Sequence, residues 1–252
     1  MTVHFIGAGP GAADLLTLRA IQLIEGSPVC VYAGSYVGAD ILSHCPPGAT
    51  LIDSSSLNLD QITDQLLSAH SSGLDVARLC SGDPSIYSAL AEQARRLDAA
   101  DVPWDVTPGV PAYAVAAAVL RRELTVPELT QTVILTRTYA ESTPMPEAES
   151  LAYLGKSGAT LVLHLAIRHI RRLSGELVDV YGTDCPVAVV VNASLPDELV
   201  LRGTLTDIAD RVEASGARQA AVILIGHALQ AEDFVESHLY SKRRRPVLRG
   251  KT

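Results

Sequence analysis

The stretch Val3–Leu16, VHFIGAGPGAADLL, decides how the chain is read. An apolar run, Val3 to Ile6, ends in the glycine-rich turn Gly7-Ala8-Gly9-Pro10-Gly11-Ala12. Gly7-x-Gly9-x-x-Ala12 satisfies the dinucleotide-binding fingerprint, and it follows a strand pattern and precedes a helical one. Two features argue against a nicotinamide or flavin site. Such a site places an acid at the end of the second strand to hold the ribose. Here that strand, Pro28 to Gly34 (PVCVYAG), runs out through Tyr32, Ala33, Gly34 and Ser35 without one. Pro10 also removes a backbone N–H from the turn. What stays open is a tight strand-to-helix turn with no ligand, or a ligand loop of another kind.

Two more strand ends repeat the pattern. Apolar Val76–Cys80 runs into Ser81-Gly82-Asp83-Pro84, and Trp104–Val106 runs into Thr107-Pro108-Gly109. Asp83 followed by Pro84 fits a helix N-cap with a proline in the first turn. Capping is therefore one complete explanation of Asp83. A ligand-facing role for the Ser81–Asp83 backbone is the other, because α/β proteins bind ligands at the carboxyl ends of their strands.

Outward from these turns, apolar runs alternate with amphipathic stretches. Leu59, Ile62, Leu66 and Ala69 lie at helical spacing before a stop at Gly73, and a helix is expected from Pro84 to Leu97. PAYAVAAAVL (111–120) reads as a small-residue helix. After Pro127, QTVILTR, ATLVLHLA, PVAVVVNAS, ELVLRGTL and AAVILIGHAL read as strands. AIRHIRRLSGEL and TDIADRVEASG read as helices between them, and STPMPEAES as a proline-containing loop leading into a short helix. The pattern predicts an α/β fold of two consecutive domains, 1–112 and 113–240, followed by a basic tail over 241–252.

Composition narrows the function. Of 252 residues, 48% are hydrophobic and 4% aromatic, so the core is aliphatic. The formal net charge of −8 disfavours nucleic acid as a partner. The basic run Lys242–Lys251 is the exception, read as a solvated end or a contact with a polyanion or a neighbouring subunit. No apolar run is long enough for a membrane span, and the amino terminus lacks the pattern of a secretory signal. A cytoplasmic protein is expected. Cys30, Cys45, Cys80 and Cys185 are scattered without a C-x-x-C pair, which predicts buried thiols rather than a metal site.

GAGPG near the start, SGDPSIY at 81–87 and TPGVPAYA at 107–114 resemble, in order and spacing, the tetrapyrrole methyltransferases that use S-adenosylmethionine. The similarity continues through YAGSYV (32–37), the long segment Leu124–Leu151 and SHLY (237–240), and so covers the chain to about Tyr240. The resemblance implies a tetrapyrrole methylase fold with the active site in the cleft between two α/β domains. It implies methyl transfer from S-adenosyl-L-methionine to a ring carbon of a corrin precursor, without a metal, by a homodimer.

By the same resemblance, cofactor contacts fall on Pro10, Ser81, Gly82, Asp83, Ile86, Pro111, Ala112, Leu165 and Ala193. The sequence departs from the family at two of these, since relatives often carry Met at the position of Leu165 and Gly at that of Ala193. Packing alone is the competing explanation for Ile86, Leu165 and Ala193. The substrate side is expected at Gly9, Gly11, Tyr32, Ser35, Tyr36 and Arg137. A polyacidic macrocycle calls for local positive charge, and Arg pairs bidentately with carboxylates. Arg168, Arg171 and Arg172, on one helical face by spacing, are further candidates beside the reading of a solvated surface. Tyr87 is read as packing on the cofactor or in the core. His164, Asp83 and Tyr113 are conceivable proton acceptors, with no single base singled out and solvent sufficient for the task.

Overall fold

The computed structural model describes residues 1–34, 36–138 and 144–237. They form two compact units: Met1–Val119 with Val191–Leu199, and Leu120–Val190 with the chain from Val200 onward. The first unit ends at Val119 rather than at 112, because the helix that begins at Ala112 stays with it almost to its end. It also recovers a segment that the linear division gave to the second domain. The expected tail, 241–252, lies outside the described residues.

The first unit is built on a parallel sheet of β1 (Val3–Gly7), β2 (Val29–Tyr32), β3 (Thr50–Asp53), β4 (Val76–Cys80) and β5 (Trp104–Thr107), in the order β3-β2-β4-β1-β5. Connections run through α1 (Leu18–Gly26), α2 (Ala39–Leu42), α3 (Leu59–Ser71) and α4 (Leu90–Ala99), and α5 (Ala112–Leu120) follows β5. Side chains alternate across the strands, so the sheet is packed on both faces. Val3, Phe5, Val31 and Val76 join Leu66 and Leu97 on one face, and Ile6, Cys30, Ala77 and Leu79 join Ile24 and Ile41 on the other. Phe5 and Trp104 meet edge to face with ring centroids 6.1 Å apart. Helix α3 starts in a reciprocal cap in which Asn58 and Gln61 each bond the other's backbone N–H.

Strand β3 and helices α2 and α4 depart from the sequence reading, which has no element at α2. Strand β3 has no counterpart there, because it is a largely exposed edge strand whose apolar content does not stand out. Helix α4 begins at Leu90 instead of in the turn after Asp83, because Tyr87 (φ 54°) and Ala89 (φ 55°) take the left-handed conformation and interrupt any helix there.

The second unit carries a mixed sheet in the order β6-β7-β10-β8-β9. Its strands are β6 (Val133–Arg137), β7 (Thr160–His164), β8 (Pro186–Val191), β9 (Leu199–Thr204) and β10 (Ala221–Ile225). Strands β6 and β7 pair in parallel, and β10 runs antiparallel to β7. Its helices are α6 (Leu151–Gly155), α7 (Ile170–Tyr181) and α8 (Ile208–Ser215). Leu161, Leu163, Leu173 and Leu177 are fully buried, and the Tyr181 hydroxyl donates to the Ala159 carbonyl at 2.6 Å. All four cysteines are free thiols; Cys30, Cys80 and Cys185 are buried. No helix among the described residues is long and apolar enough to cross a membrane.

Candidate active site

In the first unit, the chain leaves β1 for β2 across β4, and leaves β4 for β5 across β1. The order of the sheet therefore reverses between the neighbours β1 and β4, and at such a point two diverging loops leave room for a ligand. The loops in question carry Gly7–Ala12 and Ser81–Ala89. They are joined by backbone alone: Gly82 N donates to Gly9 O at 2.7 Å, and Gly9 N donates to Gly82 O at 3.2 Å. The third loop, after β5, closes against both. A Cβ on Gly7 would stand 2.5 Å from Gly109 Cα and 2.8 Å from Gly82 O, and one on Gly109 would overlap the Gly82 carbonyl. Only glycine lets the three backbones approach this closely.

Asp83 locks the arrangement. Its Oδ1 accepts from Ser85 N at 2.9 Å and from the Ser85 hydroxyl, and its Oδ2 accepts from Gly109 N at 2.9 Å. Asp83 does not cap α4; it ties the β4 loop to the β5 loop. Burial works to raise its carboxyl pKa, but the bonds from Ser85 and Gly109 outweigh it and hold the group below the ordinary carboxylate value. Pro111 and Ala112 lie just beyond, with Pro111 Cα and Ala112 N each 3.7 Å from the position a Cβ would take on Gly82. Ile86, half-buried, follows in the same loop, its N–H donating to the Asp83 carbonyl.

The segment Val191–Leu199 adds a fourth side. Ala12 N donates to Ser194 Oγ at 3.1 Å, Ser194 N donates to Glu198 Oε2 at 2.8 Å, and Leu195 packs where a side chain on Gly11 would have to go. Ala193 is buried beside them. Gly9, Pro10, Gly11, Ser81, Gly82, Asp83, Ile86, Pro111, Ala193 and Ala112, the first residue of α5, thus all belong to one unit.

The loop after β2 lies one strand further out. Tyr32 O accepts from both Ser54 N (2.7 Å) and Ser54 Oγ (2.9 Å). Asp53 Oδ1 takes the N–H groups of Gly34 and Ser55, each at 2.9 Å, and these bonds depress its pKa. Tyr36 is 44% exposed, and the phenols of Tyr32 and Tyr36 make no hydrogen bond among the described residues. Ser35 lies outside the described residues.

Arg137 and Leu165 belong to the second unit. Arg137 ends β6 and is the register partner of His164, which ends β7; Leu165 follows directly. Leu165 is 64% exposed and holds a left-handed φ of 55°. A branched apolar residue kept in that conformation and turned outward is a combination that sites tolerate and ordinary loops avoid. Burial lowers the His164 pKa. The basic helix is differently employed. Arg171 Nη2 pairs with Asp210 (2.5 Å) and Glu213 (2.6 Å), Arg172 Nη1 with Glu176 (2.7 Å), and Arg168 Nε donates to the Arg218 carbonyl. These charges are neutralised or anchored within the unit's own surface.

Residues 2–209 match the family model described as Tetrapyrrole (Corrin/Porphyrin) Methylases. The chain belongs to the tetrapyrrole methylase family. A precorrin-4 C(11)-methyltransferase of Rhodococcus erythropolis is 57% identical over 244 residues, 97% of this chain and 98% of that protein. A solved cobalt-precorrin-4 methyltransferase, described as a cobalamin biosynthetic enzyme, superposes with a TM-score of 0.88 at 36% identity, covering 91% of this chain and 96% of the other. A uroporphyrin-III C-methyltransferase of Thermus thermophilus, solved with S-adenosylhomocysteine, gives 0.76 at 25% identity, covering 92% and 96%.

Within this methylase, the two-sheet α/β architecture is the one the resemblance implied. Several residues that shape the site carry no signal in the sequence: Asp53, Ser54, Ser194, Glu198, Arg78 and Gln93. Asp53, Ser54, Ser194, Arg78 and Gln93 each act through a partner distant in the chain, and Glu198 acts through Ser194, itself bonded to Ala12, so no local spacing marks them.

Proposed function

We propose that the chain transfers the methyl group of S-adenosyl-L-methionine to ring carbon 11 of precorrin-4, or of cobalt-precorrin-4, in cobalamin biosynthesis. The observation that carries this reading is the full-length 57% identity to a protein bearing that name, on a fold whose glycine-lined strand ends meet at the switch point.

The loops of the first unit suit the donor. A small residue at 82 leaves space facing Pro111 and Ala112, the exposed Ser81 hydroxyl makes no hydrogen bond among the described residues, and Ile86 offers an apolar wall. When bound, the donor supplies a methyl carbon on a positively charged sulfur, which a nucleophilic ring carbon displaces in line. The chain's part is then to position and to exclude water, a contribution that scales with how rigidly the groups are held. Asp83, by clamping the β4 loop to the β5 loop, fixes the backbone of Ser81–Asp83 and the start of α5. In the second unit, the exposed Leu165 supplies an apolar contact, and Arg137 is suited to a substrate carboxylate. Tyr32 and Tyr36 offer phenol donors to the same polyacid. The assembly and compartment we infer, from family resemblance, are a homodimer in the cytoplasm.

A sister methyltransferase acting at another ring position is the runner-up, supported by the fit to the uroporphyrin-III enzyme. The test is incubation with precorrin-4 or its cobalt form and a carbon-13 methyl donor. Carbon-13 spectroscopy of the product is expected to place the label on carbon 11; label on a different carbon overturns the assignment in favour of the sister reaction.

A further inference from the structure

Beneath the two ligand-facing loops of the first unit runs a buried polar chain that the reaction itself does not require. Arg78 stands in the middle of β4 and is 7% exposed; Gln93, on α4, is 1% exposed; Ser54, after β3, is 6% exposed. Arg78 Nε donates to Gln93 Oε1 at 2.9 Å. Its Nη1 straddles the Val31 carbonyl (3.4 Å), Ser54 Oγ (3.3 Å) and the Leu79 carbonyl (3.5 Å). Gln93 Nε2 in turn donates to the carbonyls of Ala89 (3.0 Å) and Ser88 (3.5 Å), and Ser54 Oγ donates to the Tyr32 carbonyl. The chain of bonds therefore starts at the loop of Asp83, Ile86 and Tyr87, passes through one guanidinium, and ends at Tyr32, the last residue of β2.

Three physical points make this more than core packing. No carboxylate lies within ion-pair distance of Arg78 among the described residues, so a cation is buried on neutral acceptors alone, an arrangement with an unrecovered desolvation cost. Burial pulls the Arg78 pKa downward. The carbonyls that Gln93 holds are those of Ser88 and Ala89; Ala89 itself and Tyr87, on the other side of Ser88, are both in left-handed backbone. Strained residues of this kind persist only where the surroundings over-determine them. Gln93 fills that role for the β4 loop, and Arg78 fixes the Gln93 amide with its oxygen inward and its nitrogen toward the loop.

We propose that Arg78 and Gln93 are positioning residues that hold the Asp83–Ala89 loop and the end of β2 in one shared arrangement, so that donor and tetrapyrrole are oriented together. The link to the two ligands rests on the function proposed above; the mechanical coupling of the loops does not.

Hydrogen-exchange mass spectrometry on the full chain, without ligand, tests the coupling. Arg78→Met replaces the cation by an apolar stem of similar length. It is expected to speed exchange roughly tenfold or more in both Asp83–Ala89 and Val31–Gly34, with the second unit unchanged. Gln93→Glu keeps an acceptor for Arg78 but loses the amide donor, and is expected to loosen only Asp83–Ala89. It should also raise the KM for donor while leaving that for tetrapyrrole in place. Ser54→Ala is expected to loosen only Val31–Gly34, and with Gln93→Glu it carries the test if Arg78→Met does not fold. Parent-like protection of both loops in Arg78→Met overturns the proposal, as does Gln93→Glu or Ser54→Ala loosening both loops alike. A parent chain that shows the expected exchange pattern across the variants yet does not bind adenosylhomocysteine would support the coupling and remove the donor reading.

Discussion

The Asp83 carboxylate and the Gly109 amide meet at 2.9 Å across a strand that belongs to neither: Asp83 follows β4, Gly109 follows β5, and β1 lies between them in the sheet. This single bond closes a ring of three strand ends. Asp83→Asn would keep one acceptor oxygen but must present either that oxygen or an N–H to Gly109, so it cannot serve Ser85 and Gly109 together. The loss of one such bond at a half-buried position costs about 1–3 kcal/mol. We expect a modest fall in thermal midpoint and roughly a tenfold or larger loss of adenosylhomocysteine affinity, because the loops that would carry the donor are released from each other. Calorimetric titration of the variant against the parent chain checks this; an unchanged affinity would place the donor elsewhere.

The same carboxyl has an acid signature. Its folded-state pKa lies below the reference 3.8, so the unfolded chain binds the proton first as pH falls. The associated stability is complete above pH 3.8 and is lost below it, as the pH drops through the folded-state value. Asp83→Asn should therefore differ from the parent at neutral pH and converge with it in strong acid, as followed by denaturant unfolding.

Glycine substitutions separate geometry from flexibility. Gly109→Ala drives a methyl into the Gly82 carbonyl and the Gly7 backbone, which cannot yield without parting the strands. Destabilisation of about 3 kcal/mol or non-folding is expected, at the upper end of overpacking costs. Gly175, inside α7 with nothing within 4 Å of the position a methyl would take, is the control. Gly175→Ala should stabilise the chain by about 0.5–1 kcal/mol, because alanine loses less backbone entropy in a helix. Urea unfolding of both variants distinguishes the cases; equal behaviour would contradict the close approach at Gly109.

Much of this site is legible without the fold, because glycine and proline clusters at the ends of apolar runs mark strand ends in any α/β chain. What escapes has physical causes. Asp83-Pro84 has the form of a cap, yet the left-handed Tyr87 and Ala89 postpone the helix, and neither residue type announces that conformation. Arg168, Arg171 and Arg172 share a helical spacing, but the carboxylates that engage Arg171 come from α8, about 40 residues on, at a position set only by packing. Arg78 sits inside a strand that reads simply as apolar, and its role emerges only when Gln93 and Ser54 are brought to it by α4 and β3.

His164 gives stability a dependence on pH near neutrality. Burial sets its folded-state pKa below 6.5, so between the folded value and 6.5 the unfolded chain carries the extra proton. Stability from this group is complete above 6.5 and declines as the pH falls toward the folded-state pKa. Comparing thermal midpoints at about pH 7.5 and about pH 5.5, the parent should lose more than His164→Gln does. An equal loss in both would assign the pH dependence to other groups.

Leu165 offers the sharpest separation of function from stability. Its left-handed φ of 55° costs a branched L-residue about 1–2 kcal/mol, and a side chain 64% exposed recovers little of that by burial. Asparagine tolerates the conformation, since its short polar side chain bonds locally. If the strain is kept for a ligand contact, Leu165→Asn should hold or raise the thermal midpoint while lowering kcat/KM roughly tenfold, the cost of removing an apolar contact from the transition state. Leu165→Met, which retains apolar reach, should keep kcat/KM within a few-fold of the parent. An asparagine variant as active as the parent would mean that the exposed side chain touches neither ligand, and the case for the second unit would then rest on Arg137 alone.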